Sequence, residues 1–205
     1  MRFVSRLLCC VALCLGCFAQ QAAPPASQFA DLQQLVTKQF GPDFILVTSF
    51  PSYEPRDAGK PLMSSPLVTG DFDGDGIEDA VIVATCKNPL LGEQAFHYKV
   101  VDPYDAYFGW SDPKVTVEFG SQDPSRRRFL LVIHGSGSEG WRSATPKSKF
   151  VIINLPFDRL TVSRMTVKKK AVSAINAEES GGMVSVIFWD GKKYRWEPSG
   201  FKDDL

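Results

Sequence analysis

Residues 67–84 read LVTGDFDGDGIEDAVIVA, in which two apolar segments rich in Val and Ile flank a strongly acidic loop. Apolar segments of this kind on either side of a glycine-containing turn predict a β-hairpin. Four carboxylates fall at loop positions one, three, five and nine, namely Asp71, Asp73, Asp75 and Asp79. Four like charges within one short turn repel each other strongly unless a cation collects their oxygens. The stretch therefore predicts a hairpin that carries a metal site.

The donor atoms of the loop favour calcium as the metal. Calcium prefers oxygen ligands in a flexible arrangement, and carboxylates together with a backbone carbonyl supply them. Alternation through the turn points the first three Asp side chains inward, while Ile77 offers its carbonyl and Asp79 closes the site. The predicted Ca2+ ligands are Asp71, Asp73, Asp75, Ile77 and Asp79. We also expect the Ile77 side chain to enter the core and hold the loop down.

The loop resembles the calcium loop of FG-GAP and VCBS-type repeats. Their pattern, Asp-x-Asp-x-Asp-Gly-x-x-Asp, is matched here at Asp71, Asp73, Asp75, Gly76 and Asp79. Gly70 before the loop and the apolar residues 80–82 after it also fit the strand-loop-strand frame of those repeats. Such repeats usually form the blades of a β-propeller, and a propeller needs several blades. Because the sequence contains one such loop, we do not expect a complete propeller.

The same residues argue against an EF-hand. An EF-hand requires a bidentate Glu at loop position twelve, and this position is Ile82. Dockerin-type loops likewise require an acidic residue there. A strand pattern, not a helix, follows Asp79, so the short strand-loop-strand site is the preferred interpretation.

The composition of the chain fits a single folded domain. Its 205 residues are 44% hydrophobic and 12% aromatic, which is enough for a core and unlike a disordered protein. The 23 basic and 23 acidic residues cancel, so charge gives no reason to expect a nucleic-acid partner. We expect residues 28–205 to form one β-rich domain.

The start of the chain has the features of a signal peptide. A basic region with Arg2 and Arg6 precedes an apolar run, and small residues favour cleavage after Ala19. The run is too short for a comfortable membrane span. Residues 1–19 are therefore a predicted signal peptide and residues 20–27 a flexible tether. This organisation predicts an extracytoplasmic protein that is secreted, periplasmic or anchored to the envelope by a lipid.

Lipid attachment at Cys17 is the alternative to ordinary secretion. Leu15-Gly16-Cys17 supplies the small residue and the cysteine that the modification needs, but Cys14 stands where an aliphatic residue is expected. Beyond this segment the sequence has one cysteine, Cys86, so no internal disulfide framework is expected. Calcium would supply the local cross-link instead.

Residue patterns outside the loop predict one helix and a series of strands. Ser27 can cap a helix over residues 28–40, which Gly41-Pro42 ends. Strands are predicted at 44–50, 67–72, 79–86, 96–101, 114–119, 129–134, 149–155, 160–168, 183–189 and 192–197. Asp190-Gly191 between the last two strands is a two-residue hairpin signal. Because helical patterns do not separate the strands, the predicted fold is mainly β, at the margin of α+β, with a largely antiparallel sheet.

Residues 129–141 raise the question of catalysis. A hydrophobic strand that ends in His134-Gly135 resembles the oxyanion-loop strand of α/β-hydrolases. Those enzymes also need a Gly-x-Ser-x-Gly elbow and a late histidine, and this sequence has neither, since its two histidines are His97 and His134. Two isolated histidines are also too few for a zinc site. We expect a flexible loop here in which Trp141 packs or presents a surface.

Two basic runs and one aromatic cluster are further candidates for partner binding. Residues 126–128 (Arg-Arg-Arg) and 168–170 (Lys-Lys-Lys) each border a predicted strand, where a solvated turn or strand end is favoured over contact with an anionic partner. Aromatic residues in a loop could stack on a sugar or a peptide, although covering a core edge is favoured. The aromatic cluster comprises Tyr104, Tyr107, Phe108 and Trp110.

Together these patterns favour a non-catalytic binding or interaction module with one Ca2+ site and a protein or polysaccharide partner. Two alternatives remain, a hydrolase-like enzyme with a site near His134 and Glu139, and a purely structural envelope protein. The enzyme requires His134 and Glu139 to converge with other polar groups in one pocket. Exposure of Trp110, Trp141 and the basic runs on one face would favour the binding module.

Overall fold

The computed structural model describes residues 26–48, 65–109, 128–179 and 182–201. The predicted signal peptide, Cys17, Trp110 and the predicted strand at 114–119 lie outside these ranges. Among the helices of the described ranges, none has both the length and the apolar character that crossing a membrane requires.

Helices account for a small part of the fold. The helices are α1 (Ala26–Phe40), α2 (Glu93–Phe96) and α3 (Pro103–Tyr107). A segment of two short 3-10 turns, called the 3-10 segment, spans Gly137–Arg142 and is kinked at Gly140, which has φ of 57°. The strands are β1 (Ile45–Leu46), β2 (Leu67–Gly70), β3 (Asp79–Thr85), β4 (Lys99–Val101), β5 (Arg128–His134), β6 (Ser148–Ile152), β7 (Arg159–Val167), β8 (Lys170–Glu178), β9 (Met183–Trp189) and β10 (Tyr194–Phe201).

The strands form two sheets. In the first sheet β1 and β2 share one edge of β3, and β5, β6 and β4 follow on the other side. All neighbours in this sheet are antiparallel except β4 and β6, which are parallel. The second sheet is an antiparallel meander of β7 to β10 in sequence order. Both sheets are open, and the described strands form neither a barrel nor a propeller, so the predicted fold class is confirmed.

The first sheet is the middle layer of three. Residues 80–84 of β3 and 129–133 of β5 are continuous apolar runs, and they are buried on both faces of the sheet. On one face they pack against α1, and this core includes Leu32, Val36, Phe40, Ile82, Leu131 and Ile133. On the other face they pack against the second sheet, and this core includes Val81, Val83, Val132, Ile175, Ile187 and Trp196. Alternation along each strand therefore divides its side chains between two separate cores.

Strand β8 is absent from the sequence predictions. Its residues are mostly small or polar, for example Ala171, Ser173 and Asn176, so the pattern of bulky β-type residues is weak. The strand exists because it pairs with β7 on one side and with β9 on the other. Lys168 and Lys169, with φ angles of 49° and 71°, form the turn that joins it to β7. The second basic run therefore begins in a hairpin turn, as the solvated-turn interpretation predicts.

Several predicted boundaries are wrong at their ends. Helix α1 already begins at Ala26, so Ser27 lies inside the helix and the last two predicted tether residues are helical. The strand predicted at 96–101 starts only at Lys99, because Phe96 ends α2 and His97 has a left-handed backbone with φ of 53°. Of the predicted strand 44–50, Ile45 and Leu46 pair with β3, and its last two residues lie outside the described ranges.

The hairpin between β9 and β10 is confirmed, but its turn spans residues 190–193 and not the two predicted residues, and Asp190 stabilises this turn. The Oδ1 atom of Asp190 accepts hydrogen bonds from the amides of Lys192 (2.9 Å) and Lys193 (3.0 Å). Its Oδ2 atom lies 2.7 Å from Nε of Arg195. Partial burial acts to raise the pKa of Asp190, but the bonds from Arg195 and the two amides outweigh it and lower the pKa to about 2.

This lowered pKa predicts how Asp190→Asn changes stability with pH. A carboxylate whose pKa is lower in the folded state stabilises the fold above its unfolded pKa, and the contribution disappears as the pH falls through the folded value. We expect Asp190→Asn to lower the unfolding free energy by about 1 kcal/mol near neutral pH. The difference from wild type should shrink between about pH 4 and about pH 2, as measured by urea unfolding. Asp31→Asn, on the exposed side of α1, is the control, and a difference that is constant with pH would contradict the assignment.

Candidate metal centre

The acidic loop closes the hairpin of β2 and β3. Gly70 pairs with Asp79 as the last rung of the ladder, and the residues between them form the turn. Gly74 and Gly76 have φ angles of 74° and 85°, a left-handed conformation that favours glycine. At Gly74 the space is also tight, because a Cβ atom would lie 3.0 Å from Cγ1 of Val172. The predicted hairpin is therefore confirmed.

Asp79 is the buried anchor of the loop. Its side chain is fully shielded from solvent, and its Oδ2 atom accepts bonds from the amides of Phe72 (2.7 Å) and Asp73 (3.2 Å). Its Oδ1 atom accepts a 2.7 Å bond from the amide of Gly135, at the end of β5. Burial raises the pKa of Asp79 to about 7, although the amides of Gly135 and Phe72 act to lower it. One carboxylate thus joins the start of the loop to the neighbouring strand.

The other predicted Asp ligands turn their carboxylates into the loop. Asp71 accepts bonds from the amides of Asp75 and Gly76, both at 3.0 Å. Asp73 accepts a 3.1 Å bond from the amide of Asp75, and Asp75 accepts a 2.9 Å bond from the amide of Ile77. These bonds between carboxylates and amides fix the turn, as short Asp side chains commonly do.

Three of the predicted ligands meet in space. One carboxylate oxygen from each of Asp71, Asp73 and Asp79 lies within 4.8 Å of the other two. Asp75 borders this group through its bond to Asp71, and Ile77 is half-buried next to it. An oxygen-only donor set of this kind suits a hard divalent cation. The Ile77 carbonyl as a ligand stays a prediction.

The loop is held down by Phe72 and not by Ile77 as expected. Phe72 is 1% exposed and belongs to the core between the two sheets, whereas Ile77 is only half-buried. Alternation explains the difference, because Phe72 lies between two inward-facing carboxylates and therefore points to the opposite side of the chain.

Lys147 is a member of the site that the sequence analysis missed. Its Nζ atom lies 2.6 Å from Oδ2 of Asp73 and 2.7 Å from Oδ2 of Asp75. These hydrogen bonds raise the pKa of the Lys147 ammonium. Partial burial acts to raise the pKa of Asp75, but the bonds from Lys147 and Ile77 lower it overall. No sequence pattern marks Lys147, since the pairing of β5 with β6 brings it to the loop.

The loop is also bound to the second sheet through Ser173 of β8. The amide of Ser173 donates a 2.6 Å bond to the Asp71 carbonyl, and the amide of Asp71 donates a 3.1 Å bond to Oγ of Ser173. Gly70 is required at this approach, because a Cβ atom there would lie 2.6 Å from Oγ of Ser173. The candidate centre therefore lies where the two sheets meet.

The 3-10 segment packs against the outgoing side of the loop. A Cβ atom on Gly135 would lie 2.3 Å from the Glu78 carbonyl oxygen, and one on Gly140 would lie 2.7 Å from it. Oε2 of Glu78 accepts a 3.0 Å bond from Nε1 of Trp141 and lies 3.3 Å from a guanidinium nitrogen of Arg142. Trp141 is 4% exposed, so it packs, which is one of the two roles expected for it.

The His134 side chain is buried, and both of its ring nitrogens have hydrogen-bond partners. It is 1% exposed, its Nδ1 atom lies 2.9 Å from Oγ of Ser148, and its Nε2 atom lies 2.7 Å from the hydroxyl of Tyr194. Burial lowers the pKa of His134 to about 4, against the attraction of Asp73, whose Oδ2 is 3.5 Å from Nδ1. The imidazole is therefore neutral near pH 7, and the contact with Asp73 is not an ion pair. Glu139 is exposed, so the pair expected for a hydrolase consists of one buried and one exposed group.

The residues predicted to form a basic and aromatic surface differ in how far they are exposed. Arg128 was expected at a solvated strand end, but it is 6% exposed and binds Asp158 at 3.1 Å and the Phe157 carbonyl. Since Trp141 is buried too, these two residues do not contribute to an exposed aromatic and basic face. Three described aromatic residues of the cluster, Tyr104, Tyr107 and Phe108, contact Trp196 at the edge of the second core. Tyr107 and Phe108 are nevertheless 52% and 50% exposed, so the covering role and the partner-binding role both stay predictions.

The approach of Gly135 to Glu78 predicts a large effect of Gly135→Ala. The new methyl group would overlap the Glu78 carbonyl, so β5 and the loop must separate and the Asp79 bond must lengthen. We expect a loss of about 2–3 kcal/mol of unfolding free energy, measured by urea unfolding. Ser138→Ala, on an exposed position of the adjacent segment, is the control. Equal stability of the two variants would show that the close approach is not needed.

Comparisons with known proteins give no match: no protein-family model, no curated protein and no solved structure matches the chain. The resemblance to FG-GAP and VCBS-type repeats therefore rests on the residues of the acidic loop themselves.

Proposed function

We propose that this chain is an extracytoplasmic calcium-binding β domain in which Ca2+ orders the junction between the two sheets. The observation that carries the proposal is the group formed by Asp71, Asp73 and Asp79, whose carboxylate oxygens lie within 4.8 Å of one another. Asp75 completes the acidic set, and the Ile77 carbonyl is the remaining predicted ligand. The extracytoplasmic part of the proposal rests on the signal-peptide features of residues 1–19.

Charge supports a divalent cation at this place. Burial of a carboxylate is unfavourable unless hydrogen bonds or an opposite charge compensate for it. Asp79 is fully buried and the Asp73 side chain is 4% exposed, so two carboxyl groups are shielded from solvent. Lys147 supplies one positive charge against the four aspartates of the loop. A bound Ca2+ would compensate more of this charge and favour the ionised form of Asp79.

The position of the loop supports a structural role for the ion. The loop contacts Gly135 immediately after β5, the 3-10 segment through Glu78, and β8 through Ser173. A ligand that binds only the folded loop stabilises every contact that depends on the loop. Calcium would thus act by fixing the sandwich of the two sheets, with no part in a reaction.

The proposal includes a second role, the binding of a protein or polysaccharide partner. A groove of about 380 Å³ lies between α1 and the Trp141–Arg142 pair, and most of its lining is apolar. Trp141 is also the residue that binds Glu78 of the loop, so the groove wall adjoins the calcium loop. A protein or polysaccharide partner is favoured over hydrolase chemistry, since burial of His134 removes it from any substrate.

Calcium titration of the wild type tests the proposed site. We expect Ca2+ added after treatment with a chelator to raise the melting temperature, with a stabilisation of about 2.7 kcal/mol at a hundredfold excess over Kd. Calorimetry should show calcium binding weakened about tenfold or more by Asp71→Asn and by Asp73→Asn, because each variant loses a charged ligand. Binding of Mg2+ should be weaker, since Mg2+ demands a stricter geometry.

The matched control is Asp31→Asn, which makes the same charge change on an exposed position of α1. This variant should bind calcium as the wild type does. A wild-type melting temperature that responds to neither chelator nor calcium would refute the metal site.

A further inference from the structure

The ammonium group of Lys147 lies against the acidic loop. Its ammonium bridges Asp73 and Asp75 at 2.6 Å and 2.7 Å. The backbone at this point is fixed, because the Lys147 amide donates a 3.0 Å bond to the carbonyl of His134 immediately before β6. The lysine side chain is 50% exposed, whereas that of Asp73 is 4% exposed. A half-exposed cationic side chain thus reaches a buried carboxylate from the solvent side.

The ammonium and a metal ion would require the same carboxylates. Asp73 belongs to the group of three that could hold a metal and is also bound by Lys147. A calcium ion lies about 2.3–2.6 Å from its oxygen ligands. Two positive charges this close to one carboxylate repel each other, in addition to competing for its lone pairs. The flexible four-carbon stem of lysine allows the ammonium to move into solvent while the backbone stays in place.

We propose that Lys147 is an internal counter-ion that competes with Ca2+ for Asp73 and Asp75. This inference rests on the proposed calcium site and concerns its regulation. Without the metal, Lys147 reduces the repulsion between the carboxylates and keeps the loop ordered. Metal binding displaces the lysine, so the affinity of the site is lower than the same carboxylates would otherwise give. The competition adapts the site to the high calcium concentrations that an extracytoplasmic protein meets.

The proposal predicts two effects of opposite direction when the charge of Lys147 is removed. Lys147→Met should bind Ca2+ about tenfold more tightly, because no ammonium has to leave. The same variant should melt at a lower temperature than wild type in the presence of a chelator, because Asp73 and Asp75 lose their counter-ion. A residue that merely packs against the loop would not improve binding when it is replaced.

The experiment compares wild type, Lys147→Met and Lys147→Gln by calorimetric calcium titration and by thermal melting in chelator. Lys147→Gln removes the charge but retains a hydrogen-bond donor, so it serves if the Met variant folds poorly without calcium. Lys99→Met, on an exposed position of β4, is the control for net charge and should change neither quantity.

The outcomes separate this inference from the proposed function. Tighter calcium binding together with lower stability in chelator supports the competition. Equal calcium affinity of wild type and both Lys147 variants overturns the competition and leaves the calcium site standing. If neither wild type nor the Lys147 variants bind calcium, the proposed calcium site is wrong. The proposed competition between Lys147 and Ca2+ is then wrong too.

Discussion

The buried carboxylate of Asp79 is the constraint on which the acidic loop depends. It accepts bonds from two amides of its own loop and from the amide of Gly135, which follows the neighbouring strand β5. A buried carboxylate left without these donors would be strongly unfavourable, so the loop, the start of β3 and the end of β5 have to assume one mutual arrangement. Gly135 is part of the same constraint, since only a residue without a side chain lets the two backbones approach so closely.

Around Asp79, polar contacts connect the two sheets. Apolar packing alone would not fix the position of one sheet relative to the other. Ser173 binds both backbone groups of Asp71 and so connects the loop to β8. The neutral imidazole of His134 bonds to Ser148 in the first sheet and to Tyr194 in the second. These bonds are directional, whereas burial of Val and Ile is not, and they therefore select the relative position of the two sheets. The acidic loop lies among these bonds, at the junction of the two sheets.

Local sequence patterns were sufficient to predict most of the secondary-structure elements, but they did not predict the contacts between those elements. Bulky β-type runs and Gly-containing turns predicted the central strands and both hairpins, because these signals act over a few residues. Strand β8 escaped detection because small and polar residues form it, and its neighbours impose its conformation. The burial of Arg128 was missed for a related reason, since Asp158 and Phe157 come from the segment just before β7, about 30 residues along the chain.

The partners that complete the acidic loop lie far from it along the chain. Gly135 is 56 residues from Asp79, Lys147 is 74 residues from Asp73, and Ser173 is 102 residues from Asp71. Closing such long segments costs chain entropy before any contact compensates for it, and contacts of this kind slow folding. The complete environment of this nine-residue motif therefore depends on segments spread over about half of the chain.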